Sequence, residues 1–439
     1  MLREKIEKGE IAPYVYLYPT PRMFETSEFG TRIHPEFTEE LNVYIHIPFC
    51  RQKCTWCGYL TVIENKKNAE AIQEKYVDCI VREIHLTQDT LRRSKITSIN
   101  FGGGTPSLLT PIQFARIMMA LVLANPQALE ADEVSIEATP ESIESGKIAA
   151  FQQFGLNRVS VGVESFIDSE IALSNRHNTS SQSENTLQTL KELNVPNVCV
   201  DLMYGLPGQT VQSWKESLQK LVEIRPQTVE LYATSSVEGT SFFRNQPPTM
   251  SPQEMLDCYF LAQQALLVAG YNQDCHMRFV LPNSEGGYVQ QANVMKGQSL
   301  IGFGVGARTY AKNLHYRNVY SAKNPKLALK QYMQTVENWF LPITDIAEIS
   351  QEDRLRQFVI YNLEHLDRKQ VRRIFDLNVR NHFRREFNEI IELGLAEDDG
   401  KIIRLTPKGL SHRDLIAREF FSSEAKKKEV MYRTGAMAA

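Results

Sequence analysis

Short apolar runs alternate with longer amphipathic stretches from residue 41 to about residue 310. The runs have the length of β-strands, whereas the stretches between them repeat apolar residues with a helical period. Strands that alternate with helices in this way indicate parallel βαβ units. The predicted strands span residues 41–47, 98–101, 133–136, 158–163, 198–203 and 228–232. The predicted helices span residues 68–89, 111–123, 143–153, 167–174, 181–193, 211–224 and 252–269.

Six such strands predict an α/β fold whose main part is a partial (β/α)6 barrel over residues 41–310. The pattern changes near residue 349. Helices at 351–366, 368–375 and 379–395 there precede strand-like segments at 396–397 and 402–405 and a last helix ending near 421. This order predicts a winged-helix-like α+β module over residues 349–422. The other segments are predicted as an N-terminal arm (1–40), a connecting segment (311–348) and a flexible, solvated tail (423–439).

Composition and charge narrow the class of protein. Of 439 residues, 42% are hydrophobic and 23% are charged, which is ordinary for a globular chain. The net charge of −3 gives no reason to expect nucleic acid or a membrane as a partner. No apolar run is long enough for a transmembrane helix, and the charged start lacks a signal sequence. Seven cysteines, three of them clustered, fit a reducing compartment, so we expect a cytoplasmic protein. We also expect it to be a monomer.

The three clustered cysteines are the most informative residues. Cys50, Cys54 and Cys57 have the spacing C-x3-C-x2-C directly after an apolar, strand-like run. A closed zinc site requires four ligands, and a structural iron–sulfur cluster normally uses four cysteines. Three thiolates can instead hold three irons of a [4Fe–4S] cluster and leave the fourth iron open. Aromatic and apolar neighbours, among them Trp56, would shield such a cluster from water.

The run from Tyr44 to Cys50, YIHIPFC, together with this spacing, resembles the radical S-adenosylmethionine (SAM) superfamily. It resembles most the branch with oxygen-independent coproporphyrinogen III oxidase, related haem chaperones and class C radical SAM methyltransferases. The resemblance implies that SAM chelates the open iron and is cleaved by one electron to a 5′-deoxyadenosyl radical. It also implies an electron donor such as flavodoxin or ferredoxin, and two bound SAM molecules.

Several motifs at predicted strand ends extend the resemblance, since barrels of this kind place their chemistry there. The glycines of segment 100–107 let the backbone approach a ligand closely. An ionised Asp201, at the end of an apolar strand, needs a partner. Glu164 stands where the oxidase pattern usually has glutamine. The resemblance implies SAM binding by Tyr44, Trp56, Gly103, Gly104, Thr105, Glu137, Glu164, Arg176 and Asp201, and binding of a second SAM by Ala233, Ala307 and Arg308.

Three hypotheses about the reaction remain open. The preferred one is methyl or methylene transfer from a second SAM to an sp2 carbon of a small-molecule substrate, giving methylation or cyclopropanation. The first alternative is oxidative decarboxylation of the coproporphyrinogen type, although that family usually has a further cysteine where Tyr59 stands. The second alternative is a haem chaperone. Candidates for the general base that methyl transfer requires are His276, Glu238 and Tyr310.

Overall fold

The computed structural model describes residues 2–8, 10, 12, 14–15, 17–28, 33–63 and 69–433. In this part of the chain the main element is a thirteen-stranded mixed sheet. Each predicted strand lies inside an observed one, which confirms the α/β class. The six parallel strands are β1 (Glu40–Ile47), β2 (Lys95–Gly103), β3 (Glu133–Ala138), β4 (Leu156–Glu164), β5 (Asn197–Tyr204) and β6 (Thr228–Ala233).

Further strands extend the sheet at both edges. Beyond β6 lie β7 (Arg278–Val280) and then Asn272–Gln273, both antiparallel to their neighbours. Beyond β1, the sheet continues with β8 (Ser299–Phe303), which is parallel to β1, and then with antiparallel β9 (Arg308–Tyr310), β10 (Leu314–Asn318), β11 (Ile343–Glu348) and the edge pair Glu25–Thr26. The predicted connecting segment 311–348 thus contributes two strands to the main sheet.

Helices cover the outer face of the sheet. Several begin at a Ser or Thr that accepts a hydrogen bond from the first turn, as Thr110, Thr210 and Ser251 do. Helices up to residue 337 are Leu2–Glu7, Ala69–Leu86, Gln88–Arg92, Pro111–Ala124, Ser145–Gln152, Asp168–Leu173, Ser180–Glu192, Val211–Ile224, Ser241–Asn245, Pro252–Val268, Val289–Met295 and Pro325–Glu337. Short 3₁₀ turns lie at Pro21–Met23, Pro106–Leu108, Pro126–Glu130 and Pro140–Ser142.

The core of the main domain lies between the strands and these helices. Phe114 stacks on Phe151 with ring centroids 4.2 Å apart. Trp214 is fully buried, and its indole N–H donates to the Cys258 carbonyl at 2.9 Å. Burial of these large side chains fixes the helices on the sheet and therefore fixes the ends of the strands.

A buried charged cluster, here called the floor network, lies near the N-terminal ends of the barrel strands. Its members are Arg158 (β4), Glu230 (β6), Arg278 (β7) and Tyr288. Glu230 accepts hydrogen bonds from Arg278 Nε at 2.9 Å and from Arg158 Nη2 at 3.4 Å. Both guanidinium groups lie over the Tyr288 ring, at 4.4 Å for Arg158 and 5.4 Å for Arg278. The network fills this end of the barrel, and its charged groups are paired with one another.

The C-terminal module combines helices with a small antiparallel sheet. Its strands are β12 (His365–Asp367), β13 (Ala396–Asp398) and β14 (Ile402–Leu405), in the order β12-β14-β13. Its helices are Gln351–Tyr361, Arg368–Phe375, Val379–His382, Arg384–Glu392, Pro407–Ser411 and Arg413–Glu419. The predicted helix 351–366 ends at Tyr361, because the following residues enter β12. The predicted helix 379–395 is divided at Phe383. Assignment of the module to the winged-helix class stays a prediction.

Both ends of the chain pack on this module. The predicted solvated tail is instead helical over Ser423–Arg433, and Ala425 is fully buried in the apolar core of the module. The rest of that tail lies outside the described residues. In the arm, Leu2, Val15 and Tyr18 belong to the same apolar core, so these residues pack mainly on the C-terminal module. None of the described helices combines the length and the apolar character that crossing a membrane requires.

Candidate active site

The three cysteines lie on the loop that follows β1. Cys57 N–H donates to the Cys54 carbonyl at 3.2 Å, which closes a turn between the two. Thr55 anchors the loop, because its N–H donates to the Ser174 carbonyl at 3.2 Å and its carbonyl accepts from Phe242 N–H at 2.8 Å. The loop is therefore held by segments that follow β4 and β6, on the side of the sheet where the strands end.

The surroundings of the thiol groups test whether they fit an iron–sulfur cluster. Burial raises the pKa of Cys50 to about 12 and that of Cys54 to about 11, so the free thiols are protonated at neutral pH. Thr105 Oγ1 donates to Cys50 Sγ at 3.5 Å, and Arg176 Nη1 donates to Cys54 Sγ at 3.6 Å. A bound metal ion deprotonates a thiol, and hydrogen bonds to the sulfurs adjust the reduction potential of a cluster. The donor set fits a three-cysteine [4Fe–4S] cluster.

The glycine segment 102–104 packs directly against the cysteine loop. Gly103 has φ +118°, and a Cβ there would lie 2.5 Å from Cε1 of His46. A Cβ on Gly104 would lie 2.6 Å from the Phe49 carbonyl oxygen. Thr105 N–H donates to that same carbonyl at 2.8 Å. Only glycine fits these two positions, so the segment and the loop form one surface.

Three predicted SAM-binding carboxyl groups lie inside the barrel on the successive strands β3, β4 and β5. Glu137 on β3 accepts a hydrogen bond from Gly103 N–H at 2.9 Å. Asp201 on β5 accepts from Ser160 Oγ at 3.1 and 3.2 Å. Burial raises the pKa of Glu137 and Glu164, and burial together with Glu230 raises the pKa of Asp201 well above its ordinary value. Donors on a ligand would lower these desolvation costs.

Glu164 and Arg176 link this carboxyl array to the cysteine loop. Arg176 Nη1 lies 3.2 Å from Glu164 Oε1, and the same nitrogen donates to Cys54 Sγ. Glu164 has φ +65°, which is uncommon for a residue other than glycine. Backbone strain of this kind is concentrated at functional sites. The structure thus brings these predicted residues together.

The other predicted binding residues are distributed around this centre. Tyr44 Oη lies 3.0 Å from His46 Nδ1, beside the glycine segment. Trp56 is half-buried between Cys54 and Cys57. Ala233 ends β6, whereas Ala307 and Arg308 lie on the opposite edge of the barrel, where β8 turns into β9. Their role in binding a second SAM stays a prediction.

The candidates for a general base have different surroundings. Glu238 is exposed in a turn whose Val237 lies against Gly58 of the cysteine loop. Tyr310 is half-buried on β9. His276 lies between two carboxylates of the C-terminal module: Nδ1 is 2.8 Å from Glu364 Oε1, and Nε2 is 3.7 Å from Asp414 Oδ2. Although burial opposes its charge, Glu364 raises the pKa of His276 to about 10. The ion pair favours the protonated imidazolium, so His276 would first have to lose that proton to act as a base, and its role as a general base stays a prediction.

This ion pair predicts a pH-dependent attachment of the module. The folded-state pKa of His276, about 10, lies above the ordinary value of 6.5. Its stabilisation is therefore complete below pH 6.5 and is lost as the pH rises through 10. We expect the thermal unfolding midpoint to fall across this window. His276→Gln should lower the midpoint at pH 6.5 and flatten the decline, measured by calorimetry. An unchanged slope in the variant would contradict this role.

One polar residue beneath the site has no signal in the sequence. Glu83, on helix Ala69–Leu86, is fully enclosed and accepts from Gly304 N–H at 2.9 Å, Tyr332 Oη at 2.6 Å and Asn318 Nδ2 at 2.6 Å. It fixes the turn between β8 and β9. From the sequence alone, a glutamate on this helix would be expected to face solvent. Its burial could not be predicted, because its three partners are more than 200 positions away in the chain.

Residues 44–221 match the family model described as the radical SAM superfamily. The superfamily implies a [4Fe–4S] cluster and SAM as cofactors. Over 420 residues the chain is 27% identical to oxygen-independent coproporphyrinogen III oxidase of Escherichia coli (strain K12), with 89% of this chain and 88% of the relative covered. The solved structure of coproporphyrinogen III oxidase from Escherichia coli superposes with a TM-score of 0.78 at 25% identity, covering 93% of this chain and 96% of that one.

Other relatives match a smaller share. The mouse mitochondrial radical S-adenosyl methionine domain-containing protein 1 is 34% identical over 237 residues, which is 53% of this chain and 52% of the relative. The chain thus spans about half the length of that relative. A haem chaperone of Lactococcus lactis is 28% identical over 285 residues, with 63% of this chain and 72% of the relative covered. These similarities support the oxidase and chaperone branch, and they do not support the expected class C methyltransferase subclass.

Proposed function

We propose that this chain is a radical SAM enzyme that oxidatively decarboxylates propionate side chains of a coproporphyrinogen-like tetrapyrrole. The observation that carries the proposal is the whole-length fold similarity to an oxidase of this kind, combined with an intact cysteine loop and barrel carboxyl array. The similarity extends over the C-terminal module and is not confined to the cofactor domain.

Two groups of residues would bind the two cofactors. Cys50, Cys54 and Cys57 would hold the cluster, and the glycine segment with Glu137, Glu164, Arg176 and Asp201 would bind and orient SAM. When bound, the cofactors supply a carbon-centred radical that takes one hydrogen atom from the propionate chain. The substrate then breaks its bond to the carboxylate, releases CO2 and gives one electron to an acceptor, leaving a vinyl group. Generating that radical would require one electron from a donor such as flavodoxin or ferredoxin.

Two positions depart from the oxidase pattern and leave a second candidate. Tyr59, which stands where the oxidases usually have a further cysteine, is 61% exposed beside the cluster loop. Glu164 replaces the usual glutamine. These departures weigh against the oxidase reaction, and the similarity to a haem chaperone over 63% of this chain supports a chaperone as the second candidate. Methyl transfer with a second SAM is not supported by a similar relative. The same assay would detect it through its products.

One assay separates these candidates. The cluster is reconstituted without oxygen, and the protein receives reductant, SAM and coproporphyrinogen III, while a parallel sample receives haem. Decarboxylation predicts vinyl products, CO2 and 5′-deoxyadenosine, with no S-adenosylhomocysteine. Haem binding with neither product would support the chaperone, and S-adenosylhomocysteine with a methylated product would support methyl transfer. Either result would overturn the proposed decarboxylation.

A further inference from the structure

Four polar side chains form a patch on the sheet beside the barrel. In the β9–β10 pair, Arg308 lies opposite Arg317, and Tyr310 lies opposite His315. Opposite residues of an antiparallel pair lie on the same face, as do residues two apart on one strand. Arg308, Tyr310, His315 and Arg317 therefore share one face, here called the arginine patch.

The register of the strands shows which face this is. Tyr310 lies opposite Leu300 on β8, and Leu300 pairs with Asn42 on β1. Asn42 shares its face with Tyr44, which points into the barrel beside the glycine segment. Burial is the main cause of the lowered pKa of His46 and of the raised pKa of Tyr44, and Arg308 and Tyr310 respectively act in the same directions, which agrees with this path. The arginine patch thus continues the inner wall of the candidate active site.

The charges of the patch are arranged for an anion. Like charges directly opposite each other on neighbouring strands destabilise a sheet, so a facing pair of arginines requires compensation. Asp345, opposite Arg317 on β11, accepts from Arg317 Nε at 2.8 Å and lies 2.7 Å from Nη2. Arg317 also lies over the Tyr320 ring at 4.1 Å. These contacts hold the Arg317 guanidinium in place. Asp345 contacts its Nε and Nη2 atoms, and Nη1 takes no part in that ion pair.

His315 supplies an independent sign of a ligand. It is 2% exposed, and among the described residues its Nδ1 has no hydrogen-bond partner. A buried polar atom without a partner costs free energy, and a ligand oxygen at this position would remove that cost. The residue opposite His315 on β11 is the small Ala347.

We infer that the arginine patch is a subsite for a carboxylate of the substrate, bound by the Arg308 and Arg317 guanidinium groups with Tyr310 and His315 as hydrogen-bonding partners. The inference rests on the proposed function in taking this carboxylate to be a propionate of a porphyrinogen. A planar guanidinium pairs with a carboxylate through two parallel hydrogen bonds, which gives orientation as well as affinity. The subsite would hold one part of the substrate while another part faces the cofactors.

The test measures binding to the cluster-loaded chain, with no turnover. Coproporphyrin III serves as the stable probe, and its tetramethyl ester serves as the uncharged control, with protein fluorescence quenching as the readout. Arg308→Gln should weaken coproporphyrin III binding about tenfold or more, and Arg308→Lys should restore part of it. Arg317→Lys should weaken it less, because a positive charge remains beside Asp345. The ester should bind weakly to every form.

The matched control is Arg404→Gln, which removes an exposed arginine from β14 together with its ion pair to Asp399. This variant should bind the probe as the native protein does. SAM affinity is measured in parallel, because the carboxylate of a second SAM has the same chemistry. If Arg308→Gln weakened SAM binding and left coproporphyrin III binding unchanged, the patch would belong to SAM and the inference would be overturned.

Two other results would also overturn the inference. They are equal binding of the acid and its ester, and native affinity for coproporphyrin III in Arg308→Gln. The proposed function fails separately, in the turnover assay. Patch-dependent binding of coproporphyrin III without vinyl product would keep the subsite and reject the decarboxylation.

Discussion

Replacing Cys54 by alanine is expected to abolish both iron–sulfur cluster assembly and SAM cleavage. Two thiolates cannot hold the cluster that three would bind, and Cys54 is also the sulfur to which Arg176 donates. The reconstituted native chain should contain about four iron atoms, and the variant should contain about one or fewer. Iron and sulfide analysis, the electron paramagnetic resonance spectrum and 5′-deoxyadenosine formation measure the effect.

The control for this experiment is Cys79→Ala. Cys79 is also buried and forms no disulfide, but it lies on helix Ala69–Leu86, away from the cysteine loop. Its thiol donates a hydrogen bond to the Met333 carbonyl. This variant should keep its iron and its SAM cleavage. The thermal unfolding midpoint of both variants before reconstitution shows whether each one folds. Full turnover by a folded Cys54→Ala protein would refute the cluster assignment.

Glu230→Gln is expected to have the largest effect on stability. Glu230 is the shared acceptor of Arg278, Arg158 and Tyr232 in the floor network. Although burial opposes its charge, the two arginines lower the pKa of Glu230 below the ordinary value, so it is ionised at neutral pH. Removal of its charge leaves two arginines in the interior without their common counter-ion. Breaking a buried ion pair in this way costs about 3–5 kcal/mol.

Urea unfolding followed by tryptophan fluorescence checks this value, because Trp214 is fully buried in the barrel core. The matched control is Glu223→Gln, on the exposed face of helix Val211–Ile224, where the change should stay within about 0.5 kcal/mol. A loss below about 1 kcal/mol in Glu230→Gln would mean that other groups or water compensate the two arginines.

Much of the fold can be predicted from the chain, for a local reason. An apolar run bounded by turn residues forms a strand wherever it is buried, so all six barrel strands were located within a few residues. Helix starts follow equally from local capping, as at Thr210 and Ser251. Where the prediction failed, a distant contact decided the structure. The tail begins with a charged run over residues 424–429, yet Ala425 within that run is buried in the C-terminal module.

The candidate site shows the same division. The spacing of Cys50, Cys54 and Cys57 is a local property, and it indicated a cluster because three thiols on one short loop must lie close together. The positions of Glu137 and Asp201 on neighbouring strands of the barrel followed from the alternation of strands and helices. In contrast, nothing near His276 in the sequence indicates that the Glu364 carboxylate will stabilise its protonated form, because the two are 88 positions apart.

The sequence by itself therefore determined the strand and helix pattern, the cysteine loop and the superfamily. Only the tertiary structure decided which distant groups share an environment: the enclosed Glu83, the charged His276, the floor network and the arginine patch. The physical reason is that pairing of strands and burial set the neighbours, the charge and the hydrogen bonds of a side chain. Those contacts join residues that are far apart in the chain, so they leave no local pattern.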